Sequence, residues 1–276
     1  MGIKRHNPTT PSRRYLQVAD FEELTPGVKP RKSLLEPLRR KGGRNNRGRI
    51  TAKRRGGGAK RNYRVIDFRR EKQDVPGRVS SVEYDPNRSA RIALVSYADG
   101  DYRYILCPEG LKVGDSVQAG RNLPVRNGNA MPLSDIPAGV EVHNIQFAPR
   151  GRSFLVRSAG TSARLMAKED KWGVVRLPSG EIRRFELDCF ATIGRVSYPE
   201  HKDIVIGKAG RVRHMGRRPR VRAVVMNPVD HPMGGGEGKS SGGRHPCSES
   251  GFPAKGARTR NRKKKSSRYI IKRRKR

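Results

Sequence analysis

From Tyr63 to Val196 the chain is a succession of short apolar runs with a two-residue rhythm, each closed by Gly, Pro, Asn or Asp. That rhythm predicts strands, because alternate side chains of a strand share one face of a sheet. Tyr63–Phe68 alternates loosely, Gly77–Tyr84 follows, and Asp85-Pro86-Asn87-Arg88 reads as a turn. Arg91–Tyr97 and Tyr102–Leu106 flank Ala98-Asp99-Gly100-Asp101, a tight hairpin signal. Leu111–Val117 adds a turn and a strand. Five short strands over residues 63–120 predict an OB-like barrel, whose closure leaves no exposed edge.

A Pro/Gly/Asn-rich link, Arg121–Pro132, leads to a second β unit over residues 121–200. Val140–Phe147, Ser153–Arg157 and Ala163–Ala167 read as strands. Gly173–Leu177 and Glu181–Leu187 flank Pro178-Ser179-Gly180, another hairpin, and Ala191–Val196 closes the series. No segment sustains a helical period, so the expectation is an all-β protein with short helical turns at most. Asp20–Leu24 is one candidate turn. Pro8, Pro11, Pro26 and Pro30 are expected to break any regular element in the first 35 residues. Trp172 is expected in a core or at a barrel rim, with a stacking platform as the alternative.

Charge changes this picture. The net charge is +37, distributed as +14 over residues 1–62 (18 basic, 4 acidic), +4 over 63–200 (21 and 17) and +19 over 201–276 (23 and 4). With only 33% hydrophobic residues and 31 Gly and 19 Pro, an apolar core cannot extend over the whole length. The organisation read from the sequence is therefore a basic N-terminal extension (1–62), two β units (63–120 and 121–200) and a basic Gly-rich C-terminal extension (201–276), the arms ordering only when bound. Such arms repel themselves unless a polyanion neutralises them, and nucleic acid is the fitting partner. Met1–Ser12 lacks the apolar segment of a secretory signal, and no run of about 18 apolar residues predicts a membrane span. Cys107, Cys189 and Cys247 are widely spaced, with no Cys-x-x-Cys pair, which argues against a disulfide framework or zinc knuckle. The expectation is a reduced, intracellular protein.

Candidate phosphate contacts are Arg44, Arg47, Arg49, Lys53, Arg54, Arg55, Lys60 and Arg61 in the first arm. In the second they are Lys208, Arg211, Arg213, His214, Arg217, Arg218, Arg220 and Arg222. Glycines interleaved with arginines let a backbone approach phosphates closely while guanidinium groups reach outward. Asn227, Asp230 and His231 are candidates for shape-specific RNA contacts. Asp230-His231 admits three readings: a carboxylate-oriented general base, a pair packed against RNA, or a turn-stabilising element. Adjacent residues point in different directions, which makes Asp230 a poor orienter of its neighbour. Gly234-Gly-Gly-Glu-Gly-Lys-Ser240 is one residue short of a phosphate-binding loop, and no His/Cys spacing supports zinc. No cofactor is expected for the protein alone, and magnesium is expected at an RNA surface, held by phosphates and waters.

Val221-Arg-Ala-Val-Val-Met-Asn-Pro-Val-Asp-His-Pro-Met-Gly-Gly-Gly-Glu-Gly238 closely resembles the signature of ribosomal protein two of the large subunit, in its bacterial form. Gly43–Thr51, Tyr84–Ala93, Tyr97–Gly100, Arg157–Ala163, Val175–Glu181, Ala191–Gly194 and Ile206–Arg211 match the same family in the same order. The resemblance implies an OB-like barrel followed by an SH3-like barrel, with both extensions threaded through large-subunit rRNA. It implies a primary rRNA-binding protein of the cytoplasmic ribosome, needed for subunit association, tRNA binding and a peptidyl-transferase centre itself made of RNA. Its implied partners are rRNA, neighbouring ribosomal proteins and the small subunit across a bridge, with no membrane and no DNA. Met233 and Ala59 stand where the family usually has histidines. A nucleic-acid-compacting protein is the alternative from charge alone; it would not carry these motifs in order.

Overall fold

The alternating runs become strands in the computed structural model of the chain, which describes residues 2–274. Near the N-terminus β1 (Ile3–Arg5) pairs with β2 (Gln17–Ala19), and β3 (Leu35–Pro37) with β4 (Asn62–Arg64). Next come β5 (Gly77–Glu83), β6 (Ile92–Tyr97), β7 (Tyr102–Leu106) and β8 (Ser116–Val117), an antiparallel sheet in the order β7-β6-β5-β8. A bulge between Val79 and Ser81 bends β5, and the sheet closes over Val79, Val82, Ala93, Val95, Ile105 and Val117. Ile66 adds a single parallel bridge to Tyr104.

The second β unit contains β9 (Ala130–Pro132), β10 (Glu141–His143), β11 (Ile145–Gln146), β12 (Ser153–Leu155), β13 (Ala163–Glu169), β14 (Trp172–Arg176), β15 (Ile182–Glu186) and β16 (Phe190–Ile193). With β17 (Ile270–Lys272) they form a seven-stranded sheet, β17-β15-β14-β13-β10-β16-β9, and the separate pair β11-β12. Met131, Leu133, Ile136, Val142, Ile145, Leu165, Val175 and Phe185 fill its core. Ala90, Leu106 and Val196, with Phe68 against them, form a smaller cluster that joins the two β units. The fold is all-β, an OB-like barrel followed by a second barrel, with long basic extensions.

Three elements depart from the pattern expectations. Pro11 does not break regular structure but starts a helix, α1 (Pro11–Arg14), with Thr10 capping the Arg13 amide. The missing proline N–H costs nothing in a first turn. Asp20–Leu24 forms a turn, as expected, closed by the Leu24 amide on the Phe21 carbonyl at 3.1 Å, with Phe21 in the left-handed region at φ 64°. Val140–Phe147 is not one strand, because Asn144 turns left-handed at φ 51° and separates β10 from β11. Its side-chain amide then donates to the Phe68 carbonyl at 2.8 Å. The basic tail contains a strand, β17, whose residues pair with Ile182 and Arg183 of β15.

Contacts group the described chain into two compact units. One holds the residues through Arg39, Lys60–Lys208 and the stretch from Arg268 onward, and so includes both barrels. The other combines Arg40–Ala59 with Ala209–Ser267. Parts of the two basic extensions, far apart in sequence, therefore fold with each other.

Candidate nucleic-acid interface

Glycine permits the second unit to form. Gly43 at φ 77° lets its carbonyl accept from the amides of both Thr51 (3.0 Å) and Ala52 (3.1 Å). Within that loop Asn45 Oδ1 accepts from the amides of Arg47 and Arg49, each at 3.0 Å, and Arg44 bridges Ile50. The loop thus displays Arg44, Arg47 and Arg49, all exposed. From the other segment comes a short helix, α2 (Ala209–His214), which carries Arg211, Arg213 and His214 in its last turn. Arg213 packs its guanidinium against Gly57, and Arg54 donates to the Val221 carbonyl at 3.1 Å.

The segments meet as a ribbon. Gly56 donates to Gly216 (2.9 Å), Ala59 to His214 (2.8 Å) and Arg218 to Arg54 (3.0 Å). Lys53 is paired with Glu249, which holds that carboxyl below its usual range. Arg55, Arg217, Arg218, Arg220 and Arg222 are exposed. A surface of this kind is complementary to a polyanion.

Asn227–Gly235 is a closed turn: Asp230 and His231 donate backbone N–H to the Asn227 carbonyl at 3.0 and 3.2 Å, and Gly235 to that of Met226 at 2.9 Å. His231 is buried at 8% exposure, and its Nδ1 accepts from the Met233 amide at 3.0 Å. Asp230 and Asn227 face outward. The two members of the Asp-His dipeptide therefore point apart, and the imidazole serves the turn. The remaining sequence candidates, Lys60, Arg61 and Lys208, lie in the other unit, where Arg61 donates to the Pro86 carbonyl at 3.0 Å.

That unit has an electropositive cleft of its own. A space of about 710 Å³ is lined by Tyr63, Phe68, Arg88, Phe154 and Arg157 among others. The Arg157 guanidinium sits 4.2 Å above the Phe68 ring, and burial together with neighbouring Arg88 lowers its pKa. Arg88 donates to the fully buried Asp85 at 2.5 Å, and Arg64 lies 3.6 Å from the same carboxylate. Arg88 and Arg64 share the one Asp85 carboxylate, and among the described residues Arg157 has none, which leaves net positive charge beside the exposed Phe154 ring and suits an unpaired nucleotide. Reasoning from the arms missed these residues. Their signal was present, since Arg88 and Arg157 each lie in a motif that carries the family resemblance.

Two family models match in tandem: Ribosomal Proteins L2, RNA binding N-terminal domain, over residues 31–119, and Ribosomal Proteins L2, C-terminal domain, over residues 126–251. The chain belongs to the ribosomal protein L2 family. Its role as an L2 protein is structural and RNA-binding within the large ribosomal subunit. Burial pushes the thiols of Cys107 and Cys189 up to about 12, far from the thiolate a nucleophile requires. His143 is driven down to about 4 by complete burial, with Nδ1 bonded to the Gly194 carbonyl at 2.8 Å. Among the described residues no group of three His, Cys, Asp or Glu could hold a metal ion, and no helix is long and apolar enough to cross a membrane.

Proposed function

We propose that this L2 protein is a primary rRNA-binding protein of the bacterial cytoplasmic ribosome. It supports subunit association, tRNA binding and the peptidyl-transferase centre without catalysing peptide-bond formation. The observation that carries this reading is the second unit, in which two basic segments pair through backbone bonds while most of their arginines face outward. Such an assembly needs a polyanion to offset its self-repulsion, and rRNA is the polyanion its family binds. The candidate arginines and lysines of both extensions supply phosphate contacts, with magnesium at the RNA surface. Arg88 and Arg157 provide a further contact on the β body. Neighbouring ribosomal proteins, and the small subunit across a bridge, are the remaining partners.

Ultraviolet cross-linking in cells, followed by sequencing of the attached RNA, tests the reading. Cross-links focused on a few large-subunit rRNA segments, at residues 41–61 and 208–240, are expected. Scattered cross-links to many transcripts or to DNA would favour a nucleic-acid-compacting protein instead. For the non-catalytic assignment, peptide-bond formation by assembled particles carrying His231→Ala should persist, because the imidazole is buried in its own turn.

A further inference from the structure

The ribbon in the second unit places Arg55 directly opposite Arg217. The flanking bonds, Gly56 N–H to Gly216 O and Arg218 N–H to Arg54 O, identify it as the non-hydrogen-bonded type of antiparallel pair. In that type the α-carbons lie about 4.5 Å apart, with the side chains on one face at their closest. Both arginines are exposed, and among the described residues no carboxylate pairs with either. Like charges placed directly opposite oppose the pairing of their strands. The strands nevertheless approach closely: a β-carbon on Gly58 would sit 2.9 Å from the Gly216 nitrogen and 3.0 Å from its α-carbon. Two glycines thus bring the backbones together beside a directly opposed pair of like-charged residues. An anion between the guanidinium groups reverses the sign of that interaction. A phosphodiester fits, because its two non-bridging oxygens each accept a charge-assisted bond from a separate fork.

We propose that Arg55 and Arg217 clamp a single RNA phosphodiester, and that filling the clamp fixes the ribbon, so the N- and C-terminal basic segments bind RNA as one element. The inference rests on the rRNA-binding reading above, and it goes beyond that reading by making the two arms thermodynamically dependent on each other. Independent charged tails would lose affinity multiplicatively when both are altered. A shared clamp loses its function with the first arginine.

The test is a double-mutant cycle with the full chain and transcribed large-subunit rRNA, using R55A, R217A and R55A/R217A, with affinity followed against salt. Each single variant is expected to bind about tenfold more weakly, and the double variant also about tenfold rather than about a hundredfold. A charge-preserving variant, Gly58→Val, is expected to weaken binding about tenfold and to lower the slope of affinity against salt by about one phosphate contact although it removes no cation, because it forces the strands apart and opens the clamp. A hundredfold loss in the double variant, single variants that bind like wild type, or a Gly58→Val chain of wild-type affinity would each overturn the clamp. A wild-type chain with no preference for rRNA over unrelated RNA of equal length would instead count against the ribosomal reading. The cycle could then still be read on either RNA.

Discussion

Arg91 donates its Nε–H to Glu23 at 2.6 Å from a position that is 2% exposed, so a residue of β6's leading edge and a residue of the N-terminal extension share one buried charge. The guanidinium lies 4.1 Å from the Tyr198 ring centroid, 5.1 Å from that of Phe21 and 5.9 Å from that of Tyr84. One cation therefore ties together the N-terminal extension, the first barrel and the end of the second. Removing it should cost more than removing its half-exposed carboxylate partner. Arg91→Ala is expected to destabilise the chain by about 3–5 kcal/mol, as loss of a buried, packed ion-pair member does. Glu23→Gln should cost about 1 kcal/mol, because water reaches that carboxylate. Chemical denaturation of the two variants checks the order, and equal losses would remove Arg91 from this central role.

Acid should act on the fold through His143. Its imidazole is completely buried and its pKa is lowered to about 4 from an ordinary 6.5, chiefly by desolvation, with Arg70 adding to the effect. The folded state keeps the ring neutral, whereas the unfolded chain takes up a proton as pH falls through 6.5. Stability is thus unaffected by this group above pH 6.5 and declines progressively from there towards pH 4. The full loss from this group is on the order of 3 kcal/mol. His143→Asn should flatten that part of the stability profile, even though its neutral-pH stability falls. An unchanged slope between pH 6.5 and 4 would assign acid sensitivity to other groups.

The barrels were legible in the chain because their strands alternate, and β7 matches its expected limits, Tyr102–Leu106, residue for residue. Inside Val140–Phe147 the apolar rhythm slips by one residue, from Val140 and Val142 to Ile145 and Phe147. The slip falls at Asn144, a residue type that tolerates the left-handed region, and it is passed over when the run is read as one strand. β17 was hidden by its neighbours. Tyr269-Ile270-Ile271 is strand-like, but it sits among so many lysines and arginines that charge dominates the reading. The candidate interface was legible as composition and illegible as geometry. Gly-rich basic segments have no period, so the pairing of Arg55 with Arg217 follows only from the folded chain. The Arg88–Arg157 cleft was missed for a related reason, since it joins two turns from different barrels.

The cleft makes its own prediction. Arg157 is stacked on Phe68 and sits beside Arg88, with Asp85 already engaged by Arg88. Arg157→Ala should weaken binding to transcribed large-subunit rRNA by about 1–3 kcal/mol, the range for loss of a stacked or bidentate contact. Stability should change little, because relieving the repulsion from Arg88 offsets part of the lost stacking. Arg88→Ala is the informative contrast. It should reduce both RNA affinity and stability, since it takes a partner from the buried Asp85 carboxylate. If Arg157→Ala bound RNA like the wild type, the cleft would be a structural junction only.

The C-terminal strand separates charge from architecture. β17 covers the edge of β15, with Ile182 opposite Lys272 and Arg183 opposite Ile270, and Tyr269 rests 5.5 Å from Trp172. A free edge strand invites pairing with another chain, and β17 closes this one from within. Because the second unit's long segment leaves the β body after Lys208 and returns at Arg268, the strand also anchors that segment at its far end. Ile270→Pro removes a backbone donor and strains the pairing while leaving every positive charge in place. It should raise amide exchange along β15, sensitise the residues before Arg268 to trypsin, and increase self-association at high concentration. RNA affinity should fall by several-fold with its salt dependence unchanged, because a segment held at both ends has less entropy to lose on binding than one held at a single end. Protection of β15 that survives Ile270→Pro would mean the strand covers the edge without holding it. A fall in the salt dependence would mean that the tail acts through its charges and not through its anchorage.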